Sequence, residues 1–181
     1  MRGVLHVSFV CSGNICRSPM AAAVFGEHLR RAGLADQVRV SSAGTGSWHV
    51  GEQMDPRAAD TLRRAGYPYR HIAAQVGAEH SGADLLIALD AGHARELRRL
   101  ADDPERVRLL RSFDPAVDGE ADVPDPYYDP RDPGFVRWWR RRRRCGFDEV
   151  LDMIEAATPG LLDWVREQLR GPTTRGRRWP G

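Results

Sequence analysis

The sequence predicts one α/β domain, a three-layer arrangement in which a parallel sheet is covered by helices on both faces. Three observations carry this. Short apolar, β-branched runs alternate with segments of helical spacing, the pattern of βαβ units. The runs, such as "VLHVSFV" and "DLLIAL", are close to continuously apolar, as strands buried on two faces are. The 181 residues are enough for one sizeable core and few for two.

The elements follow in order. Residues 3–10 read as a buried first strand. Ser18 suits a helix N-cap and Pro19 the first helical position, where a missing N–H is harmless. That helix should run to about Ala32, with Gly33 as its stop. Residues 37–42 form a second strand, followed by the glycine-rich loop "AGTGSWHVG". Asp55 opens a second helix with Pro56 at its first position, ending at Gly66. Residues 83–89 form a third strand, and residues 91–100 a helix with an apolar face at Leu97 and Leu100. Residues 106–111 are the fourth strand. Residues 147–157 and 160–170 read as helical, one helix bent at Pro159. The domain thus spans residues 1–170, and 171–181 read as a disordered tail.

Composition excludes several classes. No apolar stretch reaches the roughly 18–20 residues of a membrane span. The first residues lack a secretory signal pattern. The expectation is a cytoplasmic protein with reduced thiols; three cysteines, an odd number, also argue against a disulfide framework. The formal charge of +2 hides a division. Every basic side chain other than histidine is arginine. Two stretches, 131–144 and 166–181, carry +6 and +4, leaving an acidic remainder.

The chemistry is concentrated between the first strand and the first helix, in "VCSGNICRSPM". In an open α/β sheet, ligands bind outside the carboxyl ends of the strands, where this loop lies. Its backbone N–H groups and the positive end of the following helix make an anion site. The loop lacks the Gly-Lys-Ser/Thr of a nucleotide-binding loop and the three glycines of a dinucleotide fingerprint. What it has is Cys11, five residues, Arg17 and Ser18. N–H dipoles and a guanidinium favour the thiolate, which is the nucleophilic form. Arg17 offers a planar fork to two phosphate oxygens. Taken alone, this pattern is matched by a blander reading: a small buried cysteine and a solvated arginine.

The wider sequence resembles the low-molecular-weight protein tyrosine phosphatases. "VCSGNICRSPMAAAVF" is similar to their active-site signature, and "SSAGTGSWHVGEQMDPRA", "HIAAQV", "DLLIALD" and "DPYY" follow in the family's order. The likeness is greatest to actinobacterial members. It implies Cys11 as nucleophile, Arg17 as phosphate clamp and Asp125 of "DPYY" as general acid. Ser12, Gly13, Asn14, Ile15 and Cys16 line the phosphate loop by the same resemblance. Ser18 matches the hydroxyl that stabilises the thiolate. Asn14 matches a residue holding a strained turn, with Ser42 and His71 as its partners; asparagine tolerates the left-handed region better than most residues. Trp48, His49, Tyr127 and Tyr128 match the walls of the substrate crevice. Asp90 reads as structural or as a helix N-cap. Cys16 does not attack phosphate; family members carry the same second cysteine, which implies a reversible disulfide with Cys11 on oxidation.

The resemblance thus implies hydrolysis of phosphotyrosine in proteins through a phosphocysteine, without metal or other cofactor. The sheet order is expected to be 2-1-3-4. A monomer with no nucleic-acid partner is expected, and by resemblance export without a signal peptide stays open. The alternative within the same fold is an arsenate reductase, which needs two further cysteines where this chain offers only Cys145 outside the loop. A silent phosphotyrosine-binding module is the alternative of another class, and the presence of Cys11 and Asp125 counts against it. The chain departs from the family at 129–146, a basic and aromatic insertion. Composition favours a solvated loop there; the sharper reading is contact with an anionic surface through 137–144.

Overall fold

The computed structural model describes residues 4–119, 121–127 and 146–171. Four parallel strands form its sheet: β1 (Leu5–Cys11), β2 (Val38–Gly44), β3 (Leu85–Ala88) and β4 (Val107–Leu109), in the order β2-β1-β3-β4. The helices are α1 (Arg17–Arg31), α2 (Pro56–Arg64), α3 (Ala78–Ser81), α4 (Ala91–Leu100) and α5 (Phe147–Arg170). The α/β class and the strand order agree with the sequence reading.

Successive residues of a strand face opposite sides, which divides the core in two. Val7, Phe9 and Cys11 of β1, with Leu85 and Ile87 of β3, face the layer containing α1, α2 and α5. Val10, Leu86 and Ala88 face the other way, onto Ala94 and Leu97 of α4. Phe9 meets Phe25 of α1 edge to face, with ring centroids 5.7 Å apart. Truncating such a buried ring typically costs about 3–5 kcal/mol.

Local chemistry sets the ends of the elements. Gly33 adopts φ 68°, and the Leu34 N–H reaches back to the Leu29 carbonyl, closing α1. Asp55 caps α2 by accepting from the Arg57 N–H at 2.8 Å, with Pro56 at the first helical position as the sequence suggests. Asp90 likewise caps α4 by accepting from the His93 N–H at 2.9 Å.

Several expectations need correction. Ser18 is not the cap of α1. The helix begins at Arg17, Cys16 precedes it without a side-chain cap, and Ser18 is turned inward toward Cys11. Leu100 does not belong to the apolar face of α4; it is exposed, and the face is His93, Ala94 and Leu97. Segments 147–157 and 160–170 are, as the sequence suggests, one helix with Pro159 inside it. The second strand extends to Gly44, while the third and fourth are shorter than read. The short helix α3 was not anticipated. Tyr128, Cys145, the arginine-rich stretch 137–144 and the tail from 172 lie outside the described residues. Among the described residues, no helix is long and apolar enough to cross a membrane.

Candidate active site

β1 ends at Cys11 and α1 begins at Arg17, so the five intervening residues must turn the chain sharply at the carboxyl edge of the sheet. Asn14 takes the strained step, at φ 56°, the only non-glycine at positive φ among the described residues. Its buried amide is fully partnered. Nδ2 donates to Ser18 Oγ at 2.9 Å and to Ser42 Oγ at 3.0 Å. Oδ1 accepts from the Ala74 N–H at 2.8 Å and from His71 Nε2 at 3.0 Å. An amide has two donor hydrogens and two acceptor lone pairs, and all four are used.

His71 reads its own tautomer from this arrangement. Nε2 faces both Asn14 Oδ1 and the Asn14 carbonyl at 3.0 Å, and both are acceptors, so Nε2 carries the proton. Burial pulls the His71 pKa below its usual value despite the bond to the Asn14 carbonyl, which pushes it up. The ring is therefore neutral at pH 7.

Ser18 Oγ lies 2.9 Å from Cys11 Sγ and 3.3 Å from the Ala43 carbonyl. It accepts from Asn14 and has one proton to give, which goes to the Ala43 carbonyl beside a neutral thiol and which a Cys11 thiolate would draw to itself. The neighbouring turn is packed against the loop backbone. The Thr45 N–H donates to the Cys11 carbonyl and the Gly46 N–H to the Ser12 carbonyl, at 2.9 and 3.0 Å. A Cβ on Gly44 would stand 2.6 Å from the Ser12 carbonyl oxygen, so only glycine permits this approach. On the far side, the Asp55 N–H donates to the Ile15 carbonyl at 2.8 Å.

Arg17 is buried and forked. NH1 donates to Asp90 Oδ2 at 2.8 Å and to the Val123 carbonyl at 3.1 Å; NH2 donates to Asp125 Oδ2 at 2.9 Å. Burial alone would lower the Arg17 pKa, but the charges of Asp125 and Cys11 and the contacts with Asp90 outweigh it and raise it. Burial also works against the Asp90 charge, yet the His93 N–H, His93 and Arg17 together hold its pKa below the usual carboxylate value. Cys16 differs from Cys11. Burial, then the charges of Asp55 and Asp125, push its thiol far above the ordinary range, so it stays protonated.

The cavity over this floor has a volume of 340 Å³ and is lined by Cys11, Ser12, Gly13, Ile15, Cys16, Arg17, Trp48, His49, Asp125 and Tyr127. His49 and Tyr127 face each other with ring centroids 6.1 Å apart. Trp48 stands at the mouth, 72% exposed. A Cβ on Gly13 would meet the His49 ring at 2.9 Å, so this glycine lets the aromatic wall close on the loop. Twelve sequence-named residues thus fall on the loop or its walls; Ser42 and His71 lie behind Asn14. Tyr128 lies outside the described residues. A larger groove of 860 Å³, between α2 and residues 69–72, is lined by no cysteine or serine. Among the described residues, no cluster of His, Cys, Asp or Glu could hold a metal ion.

Two contacts of this site have no signature in the sequence. Asp90, read as a cap, is also the half-buried partner of the buried Arg17. His93 of α4 places Nε2 2.8 Å from Ser12 Oγ, while its Nδ1 sits 3.0 Å from Asp90 Oδ1 without the alignment of a hydrogen bond. The nearby carboxylate favours the ring proton on Nδ1, which leaves Ser12 to donate to Nε2. Burial and then the Arg17 charge pull the His93 pKa down to about 4, so the ring is neutral at pH 7. A histidine in the first turn of a helix usually packs or faces solvent; only the sheet order brings this one to the loop after β1.

Comparison with known proteins adds an independent line. The family model "Low molecular weight phosphotyrosine protein phosphatase" matches residues 6–171. The low molecular weight protein-tyrosine phosphatase A of Mycobacterium tuberculosis is 54% identical over 176 residues, covering 96% of this chain and all of that protein. A low molecular weight protein-tyrosine-phosphatase of Streptomyces coelicolor is 53% identical over 171 residues, covering 92% and 96%. Among solved structures, YfkJ from Bacillus subtilis superposes with a TM-score of 0.78 at 33% identity, covering 92% of this chain and 98% of that one.

Proposed function

The chain belongs to the low molecular weight phosphotyrosine protein phosphatase family, and from that premise we propose that it hydrolyses phosphotyrosine in proteins, with Cys11 as nucleophile, Arg17 as phosphate clamp and Asp125 as general acid. One observation supports this assignment above the others. Cys11 and Arg17, from the two ends of one loop, and Asp125, from a segment more than a hundred residues further along the chain, line one 340 Å³ cavity with aromatic walls.

The steps follow from the chemistry of these groups. The Cys11 thiolate attacks phosphorus, and the bond from phosphorus to the tyrosyl oxygen breaks. Protonated Asp125 gives its proton to that oxygen, and the tyrosine leaves neutral. The Arg17 fork and the loop N–H groups bind the oxygens on which charge is spread. Asp125, now a carboxylate, takes a proton from water as the water oxygen attacks phosphorus. The phosphorus–sulfur bond breaks, phosphate departs and the thiolate is restored. Ser18 supports the thiolate in both its leaving and attacking roles.

Arg17 has another consequence. Its fork points at Asp90 and Asp125, so an incoming phosphate must share or replace the Asp125 contact. That exchange turns the Asp125 carboxyl from Arg17 toward the leaving oxygen. The walls support aryl substrates, because Ile15, His49, Tyr127 and Trp48 offer apolar faces to a ring. A depth that suits phosphotyrosine leaves a shorter phosphoserine away from the thiolate.

The test is hydrolysis of an aryl phosphate and of a phosphotyrosine peptide by the wild type and by Cys11→Ser. Turnover of both by wild type, and of neither by the variant, is expected. Residual turnover by Cys11→Ser at the wild-type rate would remove the nucleophile assignment.

A further inference from the structure

Arg57 is the second residue of α2, and the sequence reading assigns it no role. Its contacts reach two parts of the active site. On one side, Nε and NH2 form a fork to Asp55, at 3.0 Å to Oδ1 and 2.8 Å to Oδ2. Asp55 is buried, and its own N–H holds the Ile15 carbonyl of the phosphate loop at 2.8 Å. On the other side, NH2 donates to the Tyr127 carbonyl at 3.1 Å. The guanidinium also lies over two rings, with its carbon 5.8 Å from the centroid of Tyr127 and 4.8 Å from that of Phe147.

The segment bearing Asp125 needs such a tether. Residues 121–127 form neither helix nor strand, so their place depends on individual contacts. Before Asp125, Val123 is held by the Leu89 carbonyl and by Arg17. After Asp125, Arg57 holds the Tyr127 carbonyl. Tyr127 in turn donates its N–H to Asp125 Oδ1 at 3.1 Å. A continuous path of short contacts therefore runs from Ile15 through Asp55, Arg57 and Tyr127 to Asp125. A guanidinium suits this position because it bonds in its plane and stacks through its faces at once, which an ammonium cannot do.

We propose that Arg57 is a positioning residue for the general acid: it ties the segment that carries Asp125 to the phosphate loop and so sets the distance between acid and leaving oxygen. The proposal rests on the reading of Asp125 as that acid. Its consequence depends on the leaving group. A phenolate that is poorly stable needs its proton in the transition state, whereas the anion of a strongly acidic phenol needs it little. Misplacing the acid therefore penalises poor leaving groups selectively.

The experiment compares kcat/KM for phenyl phosphate and para-nitrophenyl phosphate, since this constant covers the steps up to release of the phenol. It uses wild type, Asp125→Asn, Arg57→Gln, Arg57→Lys and the double variant Arg57→Gln/Asp125→Asn. The ratio of the two constants does not depend on the folded fraction of a variant, so a stability loss alone leaves it unchanged. Asp125→Asn should lower the phenyl phosphate constant by roughly 10²–10⁴ and the nitrophenyl constant far less. Both Arg57 variants should move the ratio the same way, with roughly a tenfold loss on phenyl phosphate against about twofold on the nitrophenyl ester. The double variant should show no larger ratio change than Asp125→Asn. If Asp125→Asn changes the ratio and the Arg57 variants leave it at the wild-type value, the positioning role is wrong. An additive ratio change in the double variant would overturn it as well. If Asp125→Asn itself shows no dependence on the ester, the acid assignment falls and the role of Arg57 falls with it.

Discussion

The floor and the rim of the active site are built on opposite plans. On the floor, residues 11–18 are held through polar side chains and backbone carbonyls. Asn14 uses all four of its amide sites, Ser18 joins Cys11, Asn14 and Ala43, and the carbonyls of Cys11, Ser12 and Ile15 are each taken by a backbone N–H. The floor is also largely buried. At the rim, Trp48 is 72% and Tyr127 40% exposed, and the segment with Asp125 has no regular structure. The difference matches two demands. Binding a tetrahedral anion requires donors fixed before it arrives, since reorganising them would subtract from catalysis. Admitting the variable surroundings of a phosphotyrosine favours a surface with few internal bonds.

This contrast predicts that floor variants damage all substrates alike, while rim variants discriminate among them. The largest effect should come from Arg17→Lys. A point charge cannot reproduce two parallel N–H donors, and loss of roughly 10²–10³ in kcat/KM is expected for every aryl phosphate and phosphopeptide tried. A loss confined to phosphopeptides would break the comparison.

The next effect concerns His93, which braces the floor through Ser12. Its pKa in the fold is about 4, below the ordinary value of 6.5. The folded state thus favours the neutral ring. The associated stability is complete above about pH 6.5 and is lost as pH falls toward 4, up to about 3 kcal/mol. Burial likewise lowers the pKa values of His6, His71 and His80, and they add to the same slope. Urea unfolding of wild type and His93→Gln at pH 7 and at pH 4.5 separates them. A smaller loss between the two pH values is expected for the variant; identical losses would show that His93 does not contribute.

The smallest effect should be that of Trp48→Ala. Its side chain stands mostly in solvent, so folding stability should change by less than about 0.5 kcal/mol. The expected change is a few-fold rise in KM for phosphotyrosine peptides, about 1 kcal/mol, with a smaller rise for phenyl phosphate. Equal rises on both would place Trp48 on the floor of the site in function, against its position.

Much of this was readable in the chain. Alternating strands and helices indicate the class, and "VCSGNICRSPM" indicates an anion site at a strand end. Residues close in sequence to Cys11 could be placed because a turn into a helix has few conformations. The N-cap at Asp55 was legible for the same local reason. Residue type alone suggests Ser18 as a cap, whereas its place beside the Cys11 sulfur, which the resemblance implies, is a matter of loop folding. Leu100 was assigned to the core on spacing, but α4 ends at its edge and leaves that side chain in water. Asp125 could be chosen only through the resemblance of "DPYY", since an acid in a turn-rich segment has no local mark.

The sequence by itself determined the loop that carries Cys11 and Arg17 and the parallel sheet that presents it. These depend on interactions within a few residues and on the period of apolar side chains. Only the tertiary structure decided which distant groups meet them: Asp90 at Arg17, His93 at Ser12, and Arg57 between the phosphate loop and the acid. Those meetings arise where separate strand ends converge on one edge of the sheet. No spacing along the chain encodes a contact of that kind.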